Sequence, residues 1–121
     1  MKLEFLNTDL SVCKYDVPVY PAMGFVFTGK TDSEFSLVCE TRYVPNGWTE
    51  KESGWSVFRV AGQLDFSLVG ILAPIANILA DENIGIFAVS TYDTDYILVK
   101  SEKADKAVLA LKSHGYTIEK K

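Results

Sequence analysis

Cysteine and histidine are scarce in this chain: its 121 residues include two Cys and one His. A structural zinc site normally takes four such ligands, so no metal is expected. Cys13 and Cys39 fall in expected strands without ligand partners nearby and read as buried free thiols, with a disulfide or reactive role the lesser alternative. Basic stretches are also missing. The 12 Lys and Arg are scattered, the only local cluster is Lys120-Lys121, and the net charge is −4. Without a basic stripe, nucleic acid is excluded as a partner. No window reaches about 18 uninterrupted apolar residues, and Met1-Lys2-Leu3-Glu4-Phe5 lacks a long apolar signal region. These absences predict a soluble, cytoplasmic protein with no membrane partner. Neither GxGxxG nor GxxxxGK[ST] occurs, and no cofactor is expected.

Catalytic parts are few. His114 sits in the last turn of an expected helix, where a cationic side chain suits the helix dipole, and reads as a helix-end residue rather than a base. Asp93 and Asp95 flank a turn and read as a solvated hairpin tip. No nucleophile, base and oxyanion set can be assembled, so no catalytic residue is assigned and the chain is not expected to be an enzyme.

What is present is a globular composition, 48% apolar and 23% charged, and an internal repeat. Residues 23 to 38 match residues 84 to 99 at a constant offset of 61, Met23 onto Ile84. Gly24 and Gly85, Asp32 and Asp93, Leu37 and Leu98, and Val38 and Val99 are identical pairs. The repeat covers an apolar run, a polar turn and a second apolar run, which is a strand hairpin. A chain of this length can hold one domain or two small halves that need each other, since about 50 to 60 residues is near the limit for independent stability.

Leu10 to Tyr15 reads as a first strand, followed by a segment broken by Pro18 and Pro21. Hairpin strands are expected near 24 to 28 and 35 to 40. Residues 44 to 54 carry Pro, Asn-Gly and charge, which marks a loop and the boundary between halves. Trp55 to Val60 is the next strand. Asp65 to Asn83 is then a helix with its approach, on Leu72, Ile75, Ala76 and Leu79; Pro74 is tolerated only near a first turn, so the regular helix begins close to Gly70. Ile84 to Ser90 and Asp95 to Lys100 form the second hairpin. Lys103 to Ser113 is an amphipathic helix closed by Gly115, and Tyr116 to Glu119 a last strand. The fold class is therefore α+β: a ferredoxin-like βαββαβ unit over residues 54–121, with a four-stranded antiparallel sheet and both helices on one face, preceded by a shortened, diverged half over residues 1–53.

Two features exceed scaffold. Asp65-Phe66-Ser67-Leu68-Val69-Gly70-Ile71-Leu72 leads into a helix whose first N–H groups lack intrahelical partners. Gly70 admits two readings, a backbone site open to a ligand carboxylate or a tight glycine packing helix on sheet. Ser90-Thr91-Tyr92-Asp93-Thr94-Asp95 is a hairpin tip without the Asn-Gly or Gly-X of the simplest turns. The strand before the first helix and the first hairpin strand are expected to be neighbours, which would bring helix start and tip to one edge. A carboxylate at the tip and an anion-accepting helix start suit a zwitterion such as an amino acid.

The stretch Gly70-Ile71-Leu72-Ala73-Pro74-Ile75, followed at the right distance by Ser90-Thr91-Tyr92-Asp93-Thr94-Asp95-Tyr96-Ile97-Leu98-Val99, resembles ACT-domain proteins. It resembles in particular the small tandem-ACT proteins of bacteria and the related cytosolic arginine sensors of animals. The resemblance covers residues 55 to 119 and is looser in the first half, through Glu34-Phe35-Ser36-Leu37-Val38 and Val44-Pro45. It implies a non-catalytic regulatory module with an amino-acid ligand held at Val69, Gly70, Ile71, Thr91, Tyr92 and Asp95: backbone contacts at Gly70 and Ile71, side-chain recognition at Thr91, Tyr92 and Asp95. The arginine sensors build their pocket from four such units where this chain supplies at most two, which implies either half a pocket in a single chain or a pocket completed by a homodimer. The alternative is an assembly or protein-interaction module with no ligand of its own.

Overall fold

In the first strand, Leu3 and Phe5 turn to one side and Lys2 and Glu4 to the other, the alternation that lets a strand bury one face. Leu3 is fully buried, while Lys2 reaches Glu119 at 2.5 Å and Glu4 accepts from Arg59 at 2.8 Å. The computed structural model describes residues 1–62 and 70–121. Its elements are β1 (Lys2–Tyr15), β2 (Val26–Lys30), β3 (Phe35–Glu40), β4 (Glu50–Val60), α1 (Leu72–Asp81), β5 (Phe87–Ser90), β6 (Asp95–Lys100), α2 (Ala104–Ser113) and β7 (Thr117–Lys120). Two compact units result, Thr8–Trp55 and Met1–Asn7 with Ser56–Lys121. Met1–Asn7 thus group with the C-terminal residues, whereas division of the sequence at 53 and 54 places them in the N-terminal half.

The larger unit has the expected α+β order, β4-α1-β5-β6-α2-β7, with one change. Its strands lie in the order β7-β1-β4-β6-β5. The start of β1 lies between β4 and β7 and runs parallel to β7, Leu3 opposite Ile118 and Phe5 opposite Lys120. The four-stranded sheet expected from the sequence therefore becomes five-stranded. Backbone bonds from Asn7 to Lys121 (3.0 Å) and from Ala61 to Lys2 (3.0 Å) fix the added strand on both sides. A second correction concerns neighbours: β6, not β5, lies beside β4.

Both helices cover one face of this sheet. Ile75, Ile78 and Leu79 of α1 and Ala104, Ala107 and Leu111 of α2 pack with Leu3, Phe58, Val60, Ile97 and Val99. Burying each large aliphatic side chain there contributes about 1.5–3 kcal/mol. Pro74 falls in the first turn of α1, where a missing N–H breaks no bond. Each helix closes with a paired C-terminal motif: Ile84 N–H to Leu79 O and Asn83 N–H to Ala80 O for α1, Tyr116 N–H to Leu111 O and Gly115 N–H to Lys112 O for α2. Gly115 takes the expected position, and His114 sits at the helix end with Nδ1 2.9 Å from Ala110 O.

In the smaller unit β3 pairs with both β1 and β2. Cys13, Tyr15, Phe35, Leu37 and Cys39 form its core, with Val19 and Val44 against it. Both thiols are buried and free. Burial pushes the Cys39 thiol up to about 11 and raises that of Cys13, which makes both poor nucleophiles.

The repeat persists in the backbone but at a different offset. From the turn to the end of the next 3-10 turn the features recur at 60: Thr31 N–H to Glu34 O and Thr91 N–H to Thr94 O, both 2.9 Å, then β3 and β6, then a single 3-10 turn at Thr41–Tyr43 and at Ser101–Lys103. The reason is the two-residue period of a strand, in which a one-residue slip exchanges its faces. At an offset of 60, Leu37 and Cys39 align with Ile97 and Val99, and each pair points into its own unit's core. A hydroxyl pair recurs as well, Ser11 with Thr41 and Ser56 with Ser101, both at 2.8 Å. No helix occupies the connection from β1 to β2.

Candidate functional site

The β5–β6 hairpin closes with Ser90 opposite Asp95. The four residues between them are held by Thr91: its N–H and hydroxyl both donate to Thr94 O, at 2.9 and 3.0 Å, and its hydroxyl accepts the Thr94 N–H at 3.4 Å. These bonds supply by side chain what Gly or Asn supplies in shorter turns. They also occupy the only donor of the Thr91 hydroxyl, leaving one acceptor lone pair for any ligand. Tyr92 projects outward and is 75% exposed. Asp95 is half-buried at the start of β6 and accepts a hydrogen bond from Ser90 Oγ at 2.6 Å. No Lys, Arg or His occurs from Phe87 to Val99, so Asp93 and Asp95 give the tip a negative field suited to a cationic group.

Thr94, to which the sequence reading assigned no role, is buried, with its Oγ1 donating to Val60 O at 2.7 Å. That bond fixes the tip against the end of β4, where the chain leaves toward α1. The neighbour that brings the tip to this side of the sheet is therefore β6, whose start lies beside the end of β4. The signal was present in the sequence as a second Thr three residues after Thr91, at the last position before β6.

At the other side of the expected site, Val69 lies outside the described residues. Gly70 is exposed at φ +72°, and a Cβ added to it would meet nothing within 4 Å. Of its two readings, tight packing of helix on sheet is excluded; the glycine answers a left-handed backbone beside open space. Ile71 caps α1 with its side chain half-buried against the core. No described hydrogen bond joins Gly70 or Ile71 to the tip.

Behind the tip, Arg59 donates to Glu4 at 2.8 Å and lies 5.9 Å from the Tyr96 ring centroid. The Arg59 hydrogen bond holds the Glu4 carboxyl below its usual range, with burial opposing and Lys121 assisting. In the smaller unit, the corresponding β2–β3 tip borders an open cavity of about 220 Å³ lined by Asp16, Pro18, Lys30 and residues Thr31 to Phe35. Among the described residues no group of three or more His, Cys, Asp or Glu could hold a metal ion. No helix among them is long and apolar enough to cross a membrane.

A family model described as the ACT domain matches residues 50–113. Among solved structures, protein Atu0741 of Agobacterium tumefaciens is 32% identical, with 99% of this chain and 92% of that chain covered and a TM-score of 0.87. Protein VC0802 of Vibrio cholerae, of unknown function and described as a possible transport protein, is 23% identical over 93% of this chain and 88% of its own, with a TM-score of 0.70. The aspartate kinase of Clostridium acetobutylicum, described as an allosteric enzyme, shares the fold at 13% identity and a TM-score of 0.67, with 88% of this chain but 32% of that one covered. No curated protein matches.

Proposed function

The chain belongs to the ACT domain family, and from that premise we propose that it is a non-catalytic regulatory module that binds an amino acid at the β5–β6 tip and the α1 start. Val69, Gly70, Ile71, Thr91, Tyr92 and Asp95 form the site in this reading. The observation that carries it is the tip itself, a turn locked by Thr91 and fastened to β4 by Thr94, with Tyr92 outward and Asp95 half-buried at the start of β6. Asp95 takes the cationic group, and the open backbone at Gly70 faces the carboxylate. The regulated aspartate kinase that shares the fold supports a regulatory role. Residues 1–53 are, in the same proposal, a diverged ACT-like copy that lost its first helix, kin to the tandem bacterial proteins and the arginine sensors. A cytoplasmic homodimer completes the pocket.

A thermal-shift screen against the twenty amino acids at millimolar concentration tests this. A ligand at about 100 times its dissociation constant adds roughly 2.7 kcal/mol of stability. At least one cationic amino acid should raise the melting temperature, and Asp95→Ala should abolish that shift while leaving the fold intact. If none of the twenty moves the melting temperature, the amino-acid reading is wrong. The second reading, an assembly or interaction module without a ligand, is favoured by the exposed Val17, Tyr20, Met23 and Trp48 of the smaller unit.

A further inference from the structure

Three of the four turn residues, Thr91, Tyr92 and Asp93, are exposed; Thr94 is the exception, with 6% of its surface accessible. Its hydroxyl bond to Val60 O is buried and spans 34 positions of sequence. The Val60 carbonyl needs a donor there, because a buried unpaired carbonyl is costly. The β2–β3 hairpin makes the same turn with Thr31, whose N–H donates to Glu34 O at 2.9 Å. Glu34 stands at the position of Thr94, is exposed, and accepts from the Ser36 hydroxyl. That turn borders the open cavity at Asp16 and Pro18. One tip is thus tethered to a strand end by a side chain, and its counterpart is not.

We propose that Thr94 is a positioning residue: its hydroxyl holds the β5–β6 tip against the end of β4 so that Thr91, Tyr92 and Asp95 meet a ligand already ordered. The proposal rests on the reading of this tip as the binding site. A tip ordered beforehand loses little freedom on binding, whereas a loose tip must be immobilised by the ligand. Releasing the tether should weaken binding about tenfold, the effect of ordering a few side chains on association.

Thr94→Val keeps the shape and removes the donor, and Thr94→Ser keeps the donor. Thr94→Ala replaces the valine variant if that does not fold. Two readouts are taken on the full chain below the melting temperature of each variant. The first is amide hydrogen exchange from 91 to 95 without ligand; the second is calorimetric affinity for whichever of the twenty amino acids stabilises the wild type. Thr94→Val should speed exchange at the tip and weaken affinity about tenfold, and Thr94→Ser should restore both. Unchanged exchange in Thr94→Val overturns the tether. Faster exchange with unchanged affinity overturns the positioning role and leaves the ligand reading standing. A wild type that binds no amino acid removes the site and the positioning role together, and exchange still reports whether the tether exists.

Discussion

Gly24 and Gly70 both adopt left-handed backbone, φ +85° and +72°, yet their surroundings differ. Beside Gly24 a Cβ would overlap Glu40 Oε2, the atom that accepts the Phe25 N–H at 3.0 Å, while Glu40 Oε1 accepts from Arg42 at 3.2 Å. Beside Gly70 it would meet open space. Gly70→Ala should therefore cost only the left-handed strain, about 1–2 kcal/mol. Gly24→Ala should cost that plus the displaced charge-assisted bond, about 3–4 kcal/mol together. Urea unfolding of the two variants checks the order; equal losses would mean that Glu40 swings aside without cost. Residue chemistry was partly legible in the sequence. Gly115, Pro74 and His114 took the places their backbone and dipole preferences dictate. Gly70 was ambiguous because spacing reveals that a glycine is required, not whether φ or crowding requires it. Thr94 was missed because its partner, the Val60 carbonyl, is a backbone atom far away in sequence.

At the scale of elements, the β1–β4 pair in the larger unit carries a partly buried ion pair, and its effect on stability depends on pH. Glu4 is held below the usual carboxylate range chiefly by the Arg59 hydrogen bond, with Lys121 adding 3.4 Å away. A carboxylate depressed in the folded state contributes stability that is complete above its unfolded pKa and is lost as pH falls through the folded one. The protein should thus hold its melting temperature from neutral pH to about pH 4.5 and lose it below. Glu4→Gln should flatten part of that loss, since the amide does not titrate. The Glu119 carboxylate, drawn to about 2 by Lys121 and Lys2, leaves a residual slope. A melting profile between pH 7 and 2.5 that is identical in wild type and Glu4→Gln would show the pair to be neutral. Most elements matched their sequence signals, α2 and β6 almost to the residue. β1 did not, because Asn7-Thr8-Asp9 interrupts its alternation, and its continuity comes from partners such as Lys121 O. The charged start of β4 was hidden in the same way, with Thr49 N–H bonded to Lys14 O at 2.8 Å in what composition marks as loop.

For the whole molecule, the start of β1 decides whether the C-terminal half can stand alone. The family match begins at residue 50, and the sequence division begins a domain at residue 54. Yet β7 pairs with β1, and Leu3 lies at 0% exposure in the core beneath both helices. A fragment of residues 54–121 loses the strand between β4 and β7, leaves β7 without its β1 partner and one edge of β4 unpaired, and opens the Leu3 position as a void. Removing a buried leucine alone costs about 2–5 kcal/mol, and a domain of this size has only about 3–5 kcal/mol of stability. The fragment should therefore show no cooperative unfolding transition by circular dichroism, whereas the same fragment with residues 1–7 attached after Lys121 through a flexible linker of about a dozen residues, long enough to return to the start of a parallel strand, should regain one. A fragment that melts cooperatively by itself would mean that β7 can move one place inward and pair with β4, restoring the four-stranded order expected from sequence. The hydrophobic pattern of β7, Thr117-Ile118-Glu119-Lys120, fits either neighbour, since Ile118 faces the core from both positions. What selects the observed arrangement is β1, whose Leu3 and Phe5 fill the space beneath the helices while Lys2 and Glu4 pair with Glu119, Lys121 and Arg59 on the opposite face.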